Sequence, residues 1–350
     1  MSKRERGKLV ALLLGMLAVM VAFWFILQRV KAGESETSVA DSDFLTEEVT
    51  SGKETAEEPM GTITLGKKKY DYFHDFETYL FIGTDATGNE EADRPEDYQG
   101  SMADFLLLLI LDKTDDKYGF LQLNRDTIAE VALIQKDGSG MAVADEQICT
   151  AHWYGGTKEM SCENTVEAVS KFLGGIPIDG YYSLNMDNIP KLNQAVGGVT
   201  VTLEEDFTKQ DAGMKKGKTL TLTDEQAYLY VHDRYGVGDE KNVSRMVRQR
   251  QYMKSFFEAA REKMEEDSEF AVGLYKQLQE SATTDVKLGR ATRIAKVVQR
   301  GTGMGTKEFK GKLTEGKILG DGIDHVEFYP DVESVVSVMT ELYGLRENEQ

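Results

Sequence analysis

The residues best suited to chemistry sit at the ends of three apolar runs. Asp85 closes "TYLFIGTDA" (78–86), Asp104 opens "DFLLLLILD" (104–112), and Arg125 with Asp126 closes "YGFLQLNRD" (118–126). The link "KTDDK" between the second and third runs is turn-like, and the spacing predicts a hairpin. Antiparallel pairing sets the start of one strand beside the end of the next, so Asp104 and Arg125 become neighbours at one sheet rim. Asp85, ending a strand that runs parallel to the third, reaches the same rim. Two carboxylates and a guanidinium gathered there suit a divalent metal and a phosphate, since Mg²⁺ takes one or two carboxylates plus phosphate oxygens. A rim of ordinary salt bridges would look the same, and spacing leaves both readings open.

A second set lies on "NVSRMVRQRQYMKSFFEAAREKMEED" (242–267), a helix pattern. Arg245, Arg248, Gln249 and Tyr252 recur at i, i+3, i+4 and i+7 and share one face. Arg234, Arg245, Arg248 and Arg250 fall within seventeen positions of a very acidic chain. Arg is the side chain that grips phosphate bidentately. Arg248, beside Gln249 near the positive helix N-terminus, is the preferred anion contact. Arg250, on another face, reads as solvated.

These residues need elements to hold them. "SCENTVEAVSKFLGG" (161–175) reads as a helix capped by Ser161, with Val166, Val169, Phe172 and Leu173 inward and Gly174 as its stop. "GYYSLNM" (180–186) and "VTVTL" (199–203) read as strands, and Asp187 as the cap of a short helix between them. "TDEQAYLYVHDR" (223–234) is a helix from Thr223; two helical segments follow the long one, near 268–281 and 287–299. "HVEFYPD" (325–331) is a late strand and "VESVVSVMTELYG" (332–344) a last helix. Strands and helices alternate without an internal repeat, which is an α/β pattern with a helix-covered sheet.

Several chemistries are absent from the pattern. His74, His152, His232 and His325 lack metal-like mutual spacing, and there is no nucleophile elbow and no Walker loop. "GTGMGTKE" contains glycines but no strand leads into it. Cys149 and Cys162 are equally compatible with a short-loop disulfide and with free buried thiols.

At the N-terminus, Leu9 to Leu27 is nineteen residues without a charge. At about 1.5 Å per residue it reaches roughly 28 Å, close to a bilayer core. Lys3, Arg4, Arg6 and Lys8 precede it, which predicts an inside N-terminus and an outside bulk. The following segment is rich in Ser, Thr and Glu and reads as a disordered stalk. A net charge of −19 and an outside location both oppose nucleic-acid binding. The expected organisation is a tail (1–8), a transmembrane anchor (9–27), an acidic stalk (28–70), a main domain (71–260) and a C-terminal helical and strand extension (261–350) packed on it.

"YLFIGTDA", "SMADFLLLLILDKTDDKYGFLQLNRDT", "HWYGG", "VSKFLGGIPIDGYYSLNMDNIPKLNQAVGGVTVTL" and "LTLTDEQAYLYVHDRYGVGDEKNVSRMVRQRQYM", in that order behind an anchor and stalk, resemble the LytR-CpsA-Psr family of bacterial envelope proteins. The resemblance covers roughly 76–258. It implies an α/β/α sandwich with a mixed central sheet and an apolar groove for a polyprenyl tail. It implies transfer of a glycopolymer, of teichoic acid or capsular polysaccharide type, from a polyprenyl-pyrophosphate carrier to peptidoglycan, on the outer face of the membrane of a bacterium of Gram-positive type. By the same resemblance Asp85 and Asp104 hold Mg²⁺, Arg125 and Asp126 form the catalytic pair, and Arg125, Arg234, Arg248 and Gln249 bind the pyrophosphate. Three positions depart from the family pattern: Met102, Gln147 and His232 stand where cations are usual. Arg94 or Arg245 are the candidates to replace them, and a weakly active member that only binds lipid-linked precursors is the alternative.

Overall fold

The computed structural model describes residues 58–85 and 101–348, apart from 136, 139–140, 241, 268–269, 280, 288, 292, 295–296 and 298–300. The tail, the span at 9–27, most of the stalk and Arg94 lie outside these residues. Among the described residues no helix is long and apolar enough to cross a membrane.

In chain order the first strands are β1 (Gly61–Leu65), β2 (Lys68–Tyr72), β3 (Phe76–Thr84), β4 (Ala103–Asp112), β5 (Lys117–Leu123), β6 (Ile128–Ile134) and β7 (Met141–Gln147). Then come α1 (Lys158–Phe172), β8 (Gly180–Asn185), α2 (Ile189–Ala195), β9 (Thr200–Thr202), β10 (Thr219–Thr221), α3 (Asp224–His232) and α4 (Asn242–Glu266). The chain ends with α5 (Phe270–Gln279), β11 (Ala282–Thr284), β12 (Thr302–Lys307), β13 (Gly311–Gly316), β14 (His325–Pro330), α6 (Val332–Tyr343) and β15 (Arg346–Glu347).

The central sheet has the order β11-β8-β3-β4-β5-β12. β3 with β8 and β5 with β12 are parallel pairs, and the other neighbours are antiparallel, so the sheet is mixed. The continuous apolar run of β4 follows from burial on both faces. Leu106, Leu108 and Ile110 pack with Leu80, with Val169 of α1 and with Met339 of α6. Leu107, Leu109 and Leu111 pack with Tyr79, Phe120 and Ile294, and Met253 of α4 lies against them. Each such side chain, fully buried, stabilises by about 1.5–3 kcal/mol. A further apolar cluster joins α2 to α5, with Tyr230, Phe256 and Leu278 among its buried members.

The β4–β5 hairpin has the expected register, from Asp112 opposite Lys117 to Leu106 opposite Leu123. Several boundaries differ from the sequence reading. Residues 61–70, assigned to the stalk, form β1 and part of β2, because Ile63, Leu65 and Tyr70 alternate inward and are buried. The 261–350 region is more than a covering layer: β11 and β12 are the two edge strands of the central sheet. α1 begins earlier than Ser161, with Thr157 Oγ1 accepting from the Met160 N–H. Asn185, not Asp187, supplies the side-chain cap before α2. Thr223 caps α3 with a reciprocal bond to Gln226, and Gly174 adopts φ +79° after α1. Both cysteines are free and buried.

Met339, fully buried on α6, tests whether the C-terminal region is core. Met339→Ala is expected to lower unfolding free energy by about 2–5 kcal/mol in urea titrations. A change under about 0.5 kcal/mol, typical of surface sites, would make the region an appendage.

Candidate functional site

The rim is assembled by one bulge and one turn. β3 pairs with β4 until Gly83, where the register shifts and Thr84 falls opposite Ala103. A Cβ on Gly83 would stand 2.8 Å from that of Phe105, so the close approach at the bulge requires glycine. Beyond it, the N–H groups of Asp85 and Asp104 both donate to the Met102 carbonyl at 3.1 Å. The two carboxylates therefore spring from one point of the backbone.

The end of β5 is a side-chain-locked turn. Asn124 Oδ1 accepts from the Asp126 N–H at 3.0 Å, and the Asn124 carbonyl accepts from Thr127 Oγ1 at 2.6 Å. Asn favours the first position of such turns for this reason. Arg125 is thus fixed at the tip and buried.

Asp104 is gripped from two sides. Arg125 Nη1 contacts Asp104 Oδ1, and Arg245 Nη1 donates to Asp104 Oδ2 at 2.9 Å. Asn242, at the start of α4, accepts from Arg245 at 2.8 and 3.1 Å and donates to Asn124 at 2.8 Å. One amide thus ties the helix to the β5 turn. Met102 Sδ accepts from Arg125 Nη2.

Asp126 lies beneath this layer at 1% exposure. Its Oδ1 is 3.4 Å from Arg125 Nε and accepts from Gln147 Nε2 at 3.4 Å. Gln147 also donates to the Val326 carbonyl at 2.6 Å, and the Phe328 N–H donates to the Asp126 carbonyl at 2.8 Å. Burial raises the Asp126 pKa, against the pull of Arg125, Arg234 and Arg245. Asp126 was paired with Arg125 as catalytic in the sequence reading. In the structure it is buried against Arg125 and Gln147.

Arg125 and Arg245 share Asp104, and the charge of Arg234 is felt at Arg245. Burial, then Arg125, then Arg234 pull the Arg245 pKa down to about 9, which leaves it protonated at neutral pH. Arg234 lies over the Tyr235 ring at 4.8 Å and donates to its hydroxyl at 2.8 Å. His232 stacks on Tyr228 at 4.8 Å and meets Asp233.

Arg248, the preferred anion contact, is used elsewhere. Its Nε donates to the Tyr230 carbonyl at 2.9 Å, and its two Nη groups meet the Asp233 carbonyl and Glu205. The end of α3 leaves carbonyls without intrahelical partners, and Arg248 satisfies them. Arg245, three residues earlier, is the α4 guanidinium at the rim. Gln249 donates to the Val231 carbonyl at 3.4 Å and accepts from Gln122 at 3.5 Å. It lines an apolar cavity of about 220 Å³ between the sheet and the helices, with Phe81, Phe105, Phe120, Met253 and Phe256 among its walls. Gly83 also lines it, so the cavity abuts the charged rim. Arg250 bonds Gln122 and Glu308.

Asp85 and Asp104 offer the hard oxygens that Mg²⁺ takes. Both Asp104 oxygens carry a guanidinium, however, so a metal there requires one arginine to move. Among the described residues, His74, Asp112 and Asp115 bring three ligand atoms within 4.8 Å of one another. They sit at the other end of β4, about 26 Å along the strand from Asp104. There Asp112 closes the hairpin, accepting from the N–H groups of Thr114 and Asp115 and meeting His74 at 2.8 Å.

The LytR_cpsA_psr family profile matches residues 46–342. The chain belongs to this family. It is 30% identical over 142 residues to a polyisoprenyl-teichoic acid–peptidoglycan teichoic acid transferase, TagU, of Halalkalibacterium halodurans, covering 41% of this chain and 42% of that one. To the TagU of Bacillus cereus it is 28% identical over 176 residues, half of each chain. The chain thus spans about half the length of the curated relatives it matches, or less. The crystal structure of Bacillus subtilis TagV aligns with a TM-score of 0.53 at 22% identity, over 77% of this chain and 98% of that one. This likeness supports the α/β family fold with its mixed sheet.

Two measurements follow from the geometry. Arg248→Ala is expected to lower unfolding free energy by about 3–5 kcal/mol, because it strands Glu205 and two carbonyls. Unchanged stability would reassign Arg248. The second concerns His152, whose Nδ1–H donates to the Ser101 carbonyl at 2.8 Å, just before Met102. Burial lowers its pKa from 6.5 to about 4. The folded state therefore favours the neutral ring. Its contribution is complete above pH 6.5 and is lost as pH falls toward 4, by about 3 kcal/mol in full. Urea titrations from pH 7 to 4 should show a drop that His152→Gln flattens.

Proposed function

We propose that this protein is a membrane-anchored, extracytoplasmic phosphotransferase that moves a glycopolymer from a polyprenyl-pyrophosphate carrier to peptidoglycan. The observation that carries the proposal is the junction of an apolar cavity with a buried guanidinium cluster. Phe105 and Gly83 line the cavity, while Asp104 and Asp85, next to or near them in the chain, belong to the rim. Such a junction is complementary to a lipid phosphate, whose tail is apolar and whose head is multiply charged. The names of the TagU relatives describe the same reaction class. The predicted span at 9–27 supplies the anchor and an outside location.

The chemistry follows from the charges. An acceptor sugar hydroxyl attacks the phosphorus that bears the glycopolymer and gives up its proton to the departing lipid phosphate. A new oxygen–phosphorus bond forms, the bridging oxygen–phosphorus bond breaks, and lipid monophosphate leaves. Arg125, Arg245 and Arg234 offset the negative charge that grows on the bridging and non-bridging oxygens. Fixed guanidiniums in a buried site act strongly because little reorganisation is needed. Asp85 and Asp104 would hold Mg²⁺ once one of the two arginines on Asp104 moves aside, and the ion would supply further charge stabilisation. Asp126, with Gln147 and Asn124, keeps Arg125 aimed.

A second reading is a binder without turnover. Met102, Gln147 and His232 stand where the family pattern has cations, and each is engaged in local contacts. Purified full-length chain with labelled lipid-linked glycan, peptidoglycan and Mg²⁺ separates the two. Transfer that falls about 10²–10³-fold in Arg125→Ala is the expected result. Tight lipid-pyrophosphate binding with no transfer would establish the binder. Met253→Arg should raise KM for long-chain carriers by at least about 10-fold, with much less effect on a short-chain analogue, since a charge in the apolar wall excludes the tail.

A further inference from the structure

We infer that Tyr235 is a platform for a pyranose ring, placed so that the phosphate on that sugar meets Arg234. The inference deepens the transferase reading and rests on it for the nature of the polymer.

Tyr235 is 73% exposed, the most exposed of the large apolar and aromatic side chains described. A ring left in water needs no explanation by itself. Its loop, however, is built to hold it there. The Tyr235 carbonyl accepts from Gln210 Nε2 at 2.9 Å, and the Gly236 N–H donates to the Glu240 carboxylate at 2.8 Å. Val237, two residues on, is buried at 1% exposure, and Arg248 holds the Asp233 carbonyl two residues before. Gly238, at φ +55°, packs so closely on Glu205 that a Cβ would overlap its carboxylate. The backbone is pinned on both sides while the ring stands out into solvent.

The position of the ring gives the ligand class. Arg234 covers one face at 4.8 Å and also reaches the phenol oxygen, which fixes the ring's orientation. The charge of Arg234 is felt at Asp126 and Arg245 of the rim. Val243, 39% exposed, is the second residue of the helix that carries Arg245. An apolar ring face beside a phosphate-binding cation matches a glycosyl phosphate. The C–H face of the sugar covers the aromatic ring, and its phosphate meets the guanidiniums. A bare phosphate uses only the second feature, and a neutral sugar only the first.

The test is binding by full-length chain, read by calorimetry with two probes, N-acetylglucosamine 1-phosphate and inorganic phosphate. The sugar phosphate should bind about 3- to 10-fold more tightly, the range expected of one aromatic contact. Tyr235→Ala should remove that preference, Tyr235→Trp should keep it, and Arg125→Ala should weaken both probes. No preference in the unmodified chain, or a preference that survives Tyr235→Ala, overturns the inference. In the transfer assay, a raised KM for the lipid-linked donor in Tyr235→Ala identifies the donor sugar, and a raised KM for peptidoglycan identifies the acceptor. If neither KM moves, the inference fails while the transferase reading stands. If the unmodified chain does not transfer, that reading fails and the binding ratio still judges Tyr235.

Discussion

A carboxylate at 5% exposure cannot remain ionised without partners, and Asp104 has two. One comes from the β5 turn and the other from a helix over 100 residues later. The bulge at Gly83, the Asn124 turn and the Asn242 bridge all serve to bring these groups to one place. The two guanidiniums on Asp104 repel each other, Arg234 adds to that repulsion at Arg245, and Asp85 and Asp126 offset it at Arg125. The repulsion shows in Arg245, which burial and its neighbours hold well below an ordinary arginine. Asp104 holds the two guanidiniums together against that repulsion.

Much of this was visible in the sequence because it depends on local pattern. The β4–β5 hairpin follows from two apolar runs and a five-residue link, and it alone makes Asp104 and Arg125 neighbours. The choice between Arg245 and Arg248 was not visible. Both lie on one side of a helix, and periodicity cannot rank residues about 60° apart. What decides is the end of α3, whose carbonyls claim Arg248, together with Asn242, which claims Arg245. The i, i+3 spacing of Asn242 and Arg245 is the one sequence signal that favoured the latter.

The edge strands show a different loss. "ATT" and "TGMGTK" have too few apolar positions to signal strands, yet β11 and β12 close the central sheet. Edge strands need only one partner and half a buried face, so their sequences carry little of the pattern. The alternation of Ile63, Leu65 and Tyr70 was stronger, but it sat beside an acidic segment that masked it. Gln147 had a third kind of signal. In the family pattern its place belongs to a cation, and the fold uses it as a neutral clamp between Asp126 and the Val326 carbonyl.

That clamp has a consequence for how the protein is made. β14 touches the Asp126 segment through the Phe328 N–H and bridges Thr127. These partners are some 200 positions apart, so a chain emerging from the ribosome or a translocation pore exposes the β5 turn long before β14 arrives. During that interval Asp126 lacks the lid that buries it, and Arg125 lacks its settled support. Long-range pairing of this kind is slow. The charged rim thus reaches its settled form only once β14 is in place, after the β3–β4–β5 part of the sheet beneath it can pair.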